Sequence, residues 1–219
     1  DALTAKKLYL LPPEIERMRT IFLLGLMFCA GIPVAQPVFP KADIFHQLTM
    51  QHGLSSDRIV KVLQDKEGFY WIATEDGVNR FDGTNVKVFR HNKNDSLTLS
   101  HNHCTDLMED SKGNIWVATL DGLSCFIKEK EIFRRYYLSH PAFANDRLNW
   151  IREITEDGEG NIWIAAFGLW KLNLSKNEFS YYYIHDASPE KSATRALSRI
   201  QYDKRLNGIW CDPLGSIGF

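Results

Sequence analysis

Residues 113–123 read GNIWVATLDGL. Nearly the same phrase returns at 160–169 as GNIWIAAFGL, and in looser form at 68–78 as GFYWIATEDGV. A glycine, a tryptophan and a β-branched run describe one strand of any β protein. Three copies describe an architecture, and a fixed period is the first thing to seek in a chain of this size.

The period is set by tryptophan. Trp71, Trp116, Trp163 and Trp210 are separated by 45, 47 and 47 residues. Asp65, Asp110 and Asp157 stand six positions before the first three, and Asp203 seven before the fourth. The turns DKEG, DSKG and DGEG lie between. An aspartate that opens a turn accepts a backbone N–H, and a glycine that closes it tolerates positive φ. Apolar positions recur with the turn. Val62, Leu107, Ile154 and Ile200 lie three residues before the Asp, and Ile59, Cys104, Ile151 and Leu197 six before it. Gly77, Gly122, Gly168 and Gly215 follow the Trp, and each of the first three units ends in an aromatic stretch: VKVFRH, IFRRYY, FSYYYI.

Each unit therefore holds four short β segments, separated by turns too short for helices. A lone four-stranded sheet has two faces to bury, and radial stacking of such sheets is the β-propeller solution. The expected class is all-β: four-stranded antiparallel propeller blades, in an incomplete arc of about three and a half. A β-sandwich is the alternative, but a sandwich does not need strands that repeat at a fixed period.

The phrases LQDKEGFYWIATEDGVNRFDG, MEDSKGNIWVATLDGLSCF and ITEDGEGNIWIAAFGLWKL resemble the two-component regulator propeller repeat. The lead-in FHQLTMQHGLSSDRIVKVLQD looks like the start of the periplasmic sensor of Bacteroidetes hybrid two-component histidine kinases. The resemblance covers about residues 43–215. It implies a signal peptide, two seven-bladed propellers, a β-sandwich, a membrane helix and a cytoplasmic kinase, with glycan breakdown products sensed outside and polysaccharide-utilisation genes controlled inside. On that basis the chain is expected to be a truncated sensor, without catalysis of its own. Its alternatives are a structural or protein-interaction propeller without a small ligand, and an extracellular propeller enzyme. Two departures stand out. The fourth unit has one extra residue before Trp210, and the third has AAFG where the others have the acids Asp76 and Asp121.

The opening DIFHQL aligns with the last strand of each unit, with Phe45 against Phe89, Phe133 and Phe179. In propellers such an orphan strand completes the last blade and hides sheet edges. An open arc with exposed edges is expected here. The alternative is a four-bladed ring closed by Ile44–Leu48 against Leu197–Phe219.

Before the repeats the text changes. MRTIFLLGLMFCAGIPVAQP from Met18 has a positive start, a short apolar run and small residues, which is a secretory signal. The run is too short for a comfortable membrane span; a retained anchor is the alternative. The expected organisation is an upstream extension at 1–17, a signal peptide at 18–35, and a periplasmic partial propeller at 36–219 with repeats near 49–92, 93–138, 139–184 and 185–219. Cys29 leaves with the signal, and Cys104, Cys125 and Cys211 are too few and too widely spaced for a disulfide framework. The net charge of −1 offers no basic surface to nucleic acid. The membrane is reached only through a downstream span or the uncleaved signal.

HNHC at 101–104 invites a metal reading, but Cys104 occupies a periodic apolar position, so no metal site and no cofactor is expected. EDGEGN at 156–161 lacks the spacing of a calcium loop. The periodic Asp65, Trp71, Asp110, Trp116, Asp157, Trp163, Asp203 and Trp210 read as scaffold. Binding belongs to what varies. Seven residues before the turn Asp stand Arg58, His103 and Trp150, on the loops entering each first strand. With Arg147 they supply planar polar groups and an aromatic platform for an oligosaccharide, and the intact sensor is expected to be a homodimer. Trp150 and the other off-period tryptophan, Trp170, are the two candidates for stacking on a sugar.

Overall fold

The computed structural model describes residues 47–140, 148–182 and 196–213. They contain fourteen strands: β1 (Ile59–Gln64), β2 (Tyr70–Thr74), β3 (Gly77–Phe81), β4 (Val86–Phe89), β5 (Cys104–Glu109), β6 (Ile115–Thr119), β7 (Gly122–Ile127), β8 (Ile132–Tyr136), β9 (Glu153–Glu156), β10 (Ile162–Ala166), β11 (Gly168–Asn173), β12 (Glu178–Tyr182), β13 (Leu197–Asp203) and β14 (Gly208–Pro213). They form three four-stranded antiparallel meanders, β1–β4, β5–β8 and β9–β12, and one pair, β13–β14. These are blades 1, 2 and 3 and half of blade 4 of an incomplete propeller. Among the described residues β13 and β14 pair only with each other, so the four-bladed ring is not closed there. Of the proposed closing strand, Ile44–His46 lie outside the described residues, as do the signal segment and Gly215.

The turn that opens each blade explains the spacing of Asp and Trp. In blade 2, Asp110 Oδ1 accepts the N–H of Lys112 and of Asn114, while Oδ2 accepts Trp116 Nε1–H at 2.9 Å. Asp65 does the same for Glu67, Phe69 and Trp71. Asp157 does so for Glu159, Asn161 and Trp163. Gly68, Gly113 and Gly160 close these turns at φ between 80° and 93°. Blade 4 absorbs its extra residue by placing Asn207 at φ 47° before Gly208, and the bond from Trp210 to Asp203 stretches to 3.3 Å.

Alternate residues of each sheet face opposite neighbours. In blade 2, Ile115, Val117, Phe126 and Phe133 join Trp71 of blade 1 in one core, whereas Trp116, Ala118 and Leu123 join Ile154, Ile162 and Leu172 of blade 3 in another. Both faces are apolar, which is why no polar alternation shows in the sequence. Trp71 meets Phe126 edge-on at 4.9 Å. Trp71 and Trp116 are each 1% exposed, Trp163 is half-buried, and Trp210, with no described blade beyond it, is 62% exposed.

Carboxylates tie the blades together. Glu109 of blade 2 accepts the Lys66 N–H from the turn of blade 1, and Glu156 of blade 3 accepts the Ser111 N–H from the turn of blade 2. Nearer the strand starts, Asp106 accepts the Ile154 N–H of blade 3, and Glu153 accepts the Ile200 N–H of blade 4. Blade 1 has Lys61 at that position, and its Nζ donates to Asp106 at 2.6 Å.

The strand register corrects the alignment of the aromatic endings. Phe89 pairs with Val78 as Tyr136 pairs with Leu123 and Tyr182 with Leu169, so Phe133 and Phe179 correspond to Val86. The cause is one further residue pair in the last hairpin of blades 2 and 3, Ile127 with Ile132 and Asn173 with Glu178.

Candidate functional site

The loops leading into the first strands and the turns between second and third strands share one end of the blades. A continuous run of backbone hydrogen bonds shows it. Glu75 N–H donates to the Arg58 carbonyl, Gly77 N–H to Asn102, Leu120 N–H to His103, and Gly122 N–H to Asn149. Phe167 then bridges to Ala196 of blade 4. Arg58, His103 and Trp150 thus stand on one ribbon, at successive blades. Arg147 lies outside the described residues.

The ribbon is rigid by construction. Asn102 Oδ1 accepts the His91 N–H at 2.7 Å, and Asn149 Oδ1 accepts the Leu138 N–H at 2.6 Å, each fastening the end of an outer strand to the next lead-in loop. Gly77, at φ 108°, sits where an added Cβ would lie 2.4 Å from the Phe89 carbonyl oxygen, so the turn admits no side chain there. Beneath it, Ser55, Thr74 and Asn79 form a buried hydrogen-bonded trio in blade 1, repeated as Ser100, Thr119 and Ser124 in blade 2.

On this frame the side chains differ. Arg58 is exposed and pairs with Glu75 at 3.0 Å. His103 is half-buried, and its N–H donates to His101 Nδ1 at 2.9 Å. Burial lowers the His101 pKa, Asp121 opposes the shift, and His103 and His91 add to it. The Arg152 guanidinium lies 5.5 Å above the ring of Trp150. Asp76 accepts from Arg90 Nε and from Asn102 Nδ2, giving the ribbon a fixed acid between blades 1 and 2. Arg90, His91, His101 and Asn102 carry no signal in a single unit. Bonds across 11 to 26 residues join Arg90, His91, Asn102 and Asp76, and His101 is tied to His103 two residues on.

Trp170 corrects an expectation. It is 1% exposed, donates Nε1–H to the Phe167 carbonyl, and packs edge-on against Tyr181 at 4.9 Å. It cannot serve as a sugar platform. In blade 3 the positions of Thr74 and Asn79 are held by Ala166 and Trp170, so an indole fills the space of the polar trio. Cys104 is fully buried among Trp71, Leu107 and Phe126, and burial pushes its thiol up to about 12, so it is packed as a hydrophobe. Among the described residues no group of three metal-ligating side chains converges. A groove of about 320 Å³ lies elsewhere, between blades 3 and 4, lined by Trp163, Tyr182 and Tyr202. It is the half-filled counterpart of the contacts that cover Trp71 and Trp116.

The family model described as two component regulator propeller matches residues 53–76 and 98–121. In those two segments the chain is similar to two-component regulator propeller repeats. Each match runs from a lead-in loop to the following turn between second and third strands, so the two matches include Arg58 and His103 of the ribbon. Histidine kinase P4 of Formosa agariphila is 31% identical over 83 residues, which is 38% of this chain and 6% of that protein. The extracellular domain of BT3049 from B. thetaiotaomicron, assigned to a hybrid two component system, superposes with a TM-score of 0.54 at 27% identity, over 63% of this chain and 20% of that one. Virginiamycin B lyase from Staphylococcus aureus shares the fold at a TM-score of 0.54 and 15% identity, over 71% of this chain and 48% of that one. The chain thus spans a small part of the length of the relatives it matches.

Proposed function

We propose that this chain is part of the exported sensing region of a hybrid two-component system, and that its loop end receives glycan breakdown products to regulate polysaccharide-utilisation genes. The observation that carries this is the constant frame with changing side chains. Identical backbone bonds hold Arg58 and His103 at matching positions, and the Asn149 loop presents Trp150 at the third. A surface that varies on a fixed scaffold is how binding loops are built. The regulator repeats, and the likeness to an extracellular two-component domain, support placement outside the cytoplasm and a receptor rather than a catalytic role. Calorimetry with a panel of oligosaccharides on the intact sensor tests it. Arg58→Ala and Trp150→Ala should each weaken binding about tenfold or more, as loss of a charged hydrogen bond or a stacking platform does. Unchanged affinity in both ends the proposal.

A further inference from the structure

The lead-in loops of blades 1 and 2 are built on the same two bonds. In each, a side chain accepts the N–H two residues on, and the carbonyl of that second residue takes the ribbon bond. In blade 1 the acceptor is Ser56 Oγ, which receives the Arg58 N–H at 3.1 Å, while the Arg58 carbonyl receives the Glu75 N–H. In blade 2 it is His101 Nδ1, which receives the His103 N–H at 2.9 Å, while the His103 carbonyl receives the Leu120 N–H. Leu148 holds the same place in blade 3, and its side chain has no acceptor to offer. A hydroxyl accepts at every ordinary pH. An imidazole accepts only while it is neutral, because an imidazolium donates from both nitrogens.

We propose that His101 is a proton-operated latch on the ribbon. Neutral, it holds the lead-in loop of blade 2; protonated, it faces the His103 N–H donor to donor and releases the loop. The neighbouring His91 behaves differently. Its Nδ1 donates to the Leu99 carbonyl at 2.7 Å, and a protonated ring keeps that bond. The charged and titratable groups that bear on His101 are Asp121 from the β6–β7 turn, His91 from the end of blade 1, and His103 from its own loop. Burial of the ring holds its pKa below 6.5 against the pull of Asp121, with help from His103 and His91. The depressed value means that the folded loop prefers the neutral ring. The latch is therefore closed above pH 6.5 and opens as pH falls through a lower value. It is independent of what the loop end binds.

Amide hydrogen exchange of the full 219-residue chain tests it, read residue by residue by NMR between about pH 8 and 5 and corrected for the intrinsic rate, with circular dichroism as the check on folding. Protection of the His103 amide should fall about fivefold in acid, the loss of one hydrogen bond. The Arg58 amide, capped by Ser56, should not change. The ring nitrogens of His101 should report protonation over the same range. His101→Ser gives blade 2 the cap of blade 1 and should keep the His103 amide protected throughout. His101→Ala should leave it poorly protected at both ends of the range. His91→Asn should leave the transition in place. A His103 amide equally protected at both ends in the wild type overturns the proposal. So does a His101→Ser chain that still loses protection there in acid, since the responsible proton would then bind elsewhere.

Discussion

Asp157 is the residue where the scaffold meets pH. Burial opposes its ionisation, and the bonds from Asn161, Trp163 and Glu159 outweigh that, bringing its carboxyl from 3.8 down to about 2. The depressed value means that the charged form is preferred in the folded chain. Its contribution is therefore complete above about pH 4 and is lost as pH falls through about 2. Asp157→Asn should lower stability at pH 7 by about 1–3 kcal/mol, the worth of hydrogen bonds to a charged acceptor. The difference from the wild type should shrink between pH 4 and 2. Urea unfolding followed by tryptophan fluorescence at several pH values measures both. At this scale the sequence was half legible. The Asp-to-Gly turn is visible in four letters. The indole bond is not, because it requires the hairpin to fold the side chain six residues back. Trp170 was misjudged for a related reason. Its departure from the period looked like exposure, whereas the simultaneous change of Thr to Ala166 had made room for it inside.

Among the elements, second strands carry the tryptophans, and their neighbours decide what each is worth. Trp116→Ala should cost about 3–5 kcal/mol, because the indole is enclosed between blades 2 and 3. Trp210→Ala should cost well under about 1 kcal/mol, since its side chain is mostly in solvent. Denaturant midpoints of the two variants, compared at low protein concentration, decide the matter. The strand count was legible because turn signals recur at every blade. The register of the outer strand was not, because one extra residue pair in a hairpin leaves no mark in an aromatic-rich stretch such as IFRRYY. The loop end was legible only as variation. Arg58, His103 and Trp150 could be found by aligning repeats, but Asp76 and Asn102 could not, since their partners come from a neighbouring blade.

For the stack as a whole, protection should follow enclosure. The amides of β6 and β7 lie in a blade covered on both faces, whereas among the described residues β13 and β14 pair only with each other. Hydrogen exchange should therefore be slowest in blade 2 and fastest in β13–β14. Equal protection across the four units would mean that β13–β14 are covered in solution.

The carboxylates that join the blades have one more consequence. Glu109, Glu156, Asp106 and Glu153 all reach across to a main-chain N–H. A backbone amide is the same whatever residue bears it. The joint therefore does not inspect the identity of the residue it holds. Glu156 adds a bond from the Ser111 hydroxyl, but the main-chain grip is the same at Lys66 and Ser111, and at Ile154 and Ile200. A gene built of such units can duplicate, lose or exchange them without first evolving a matching partner, and the loops each unit displays are free to diverge.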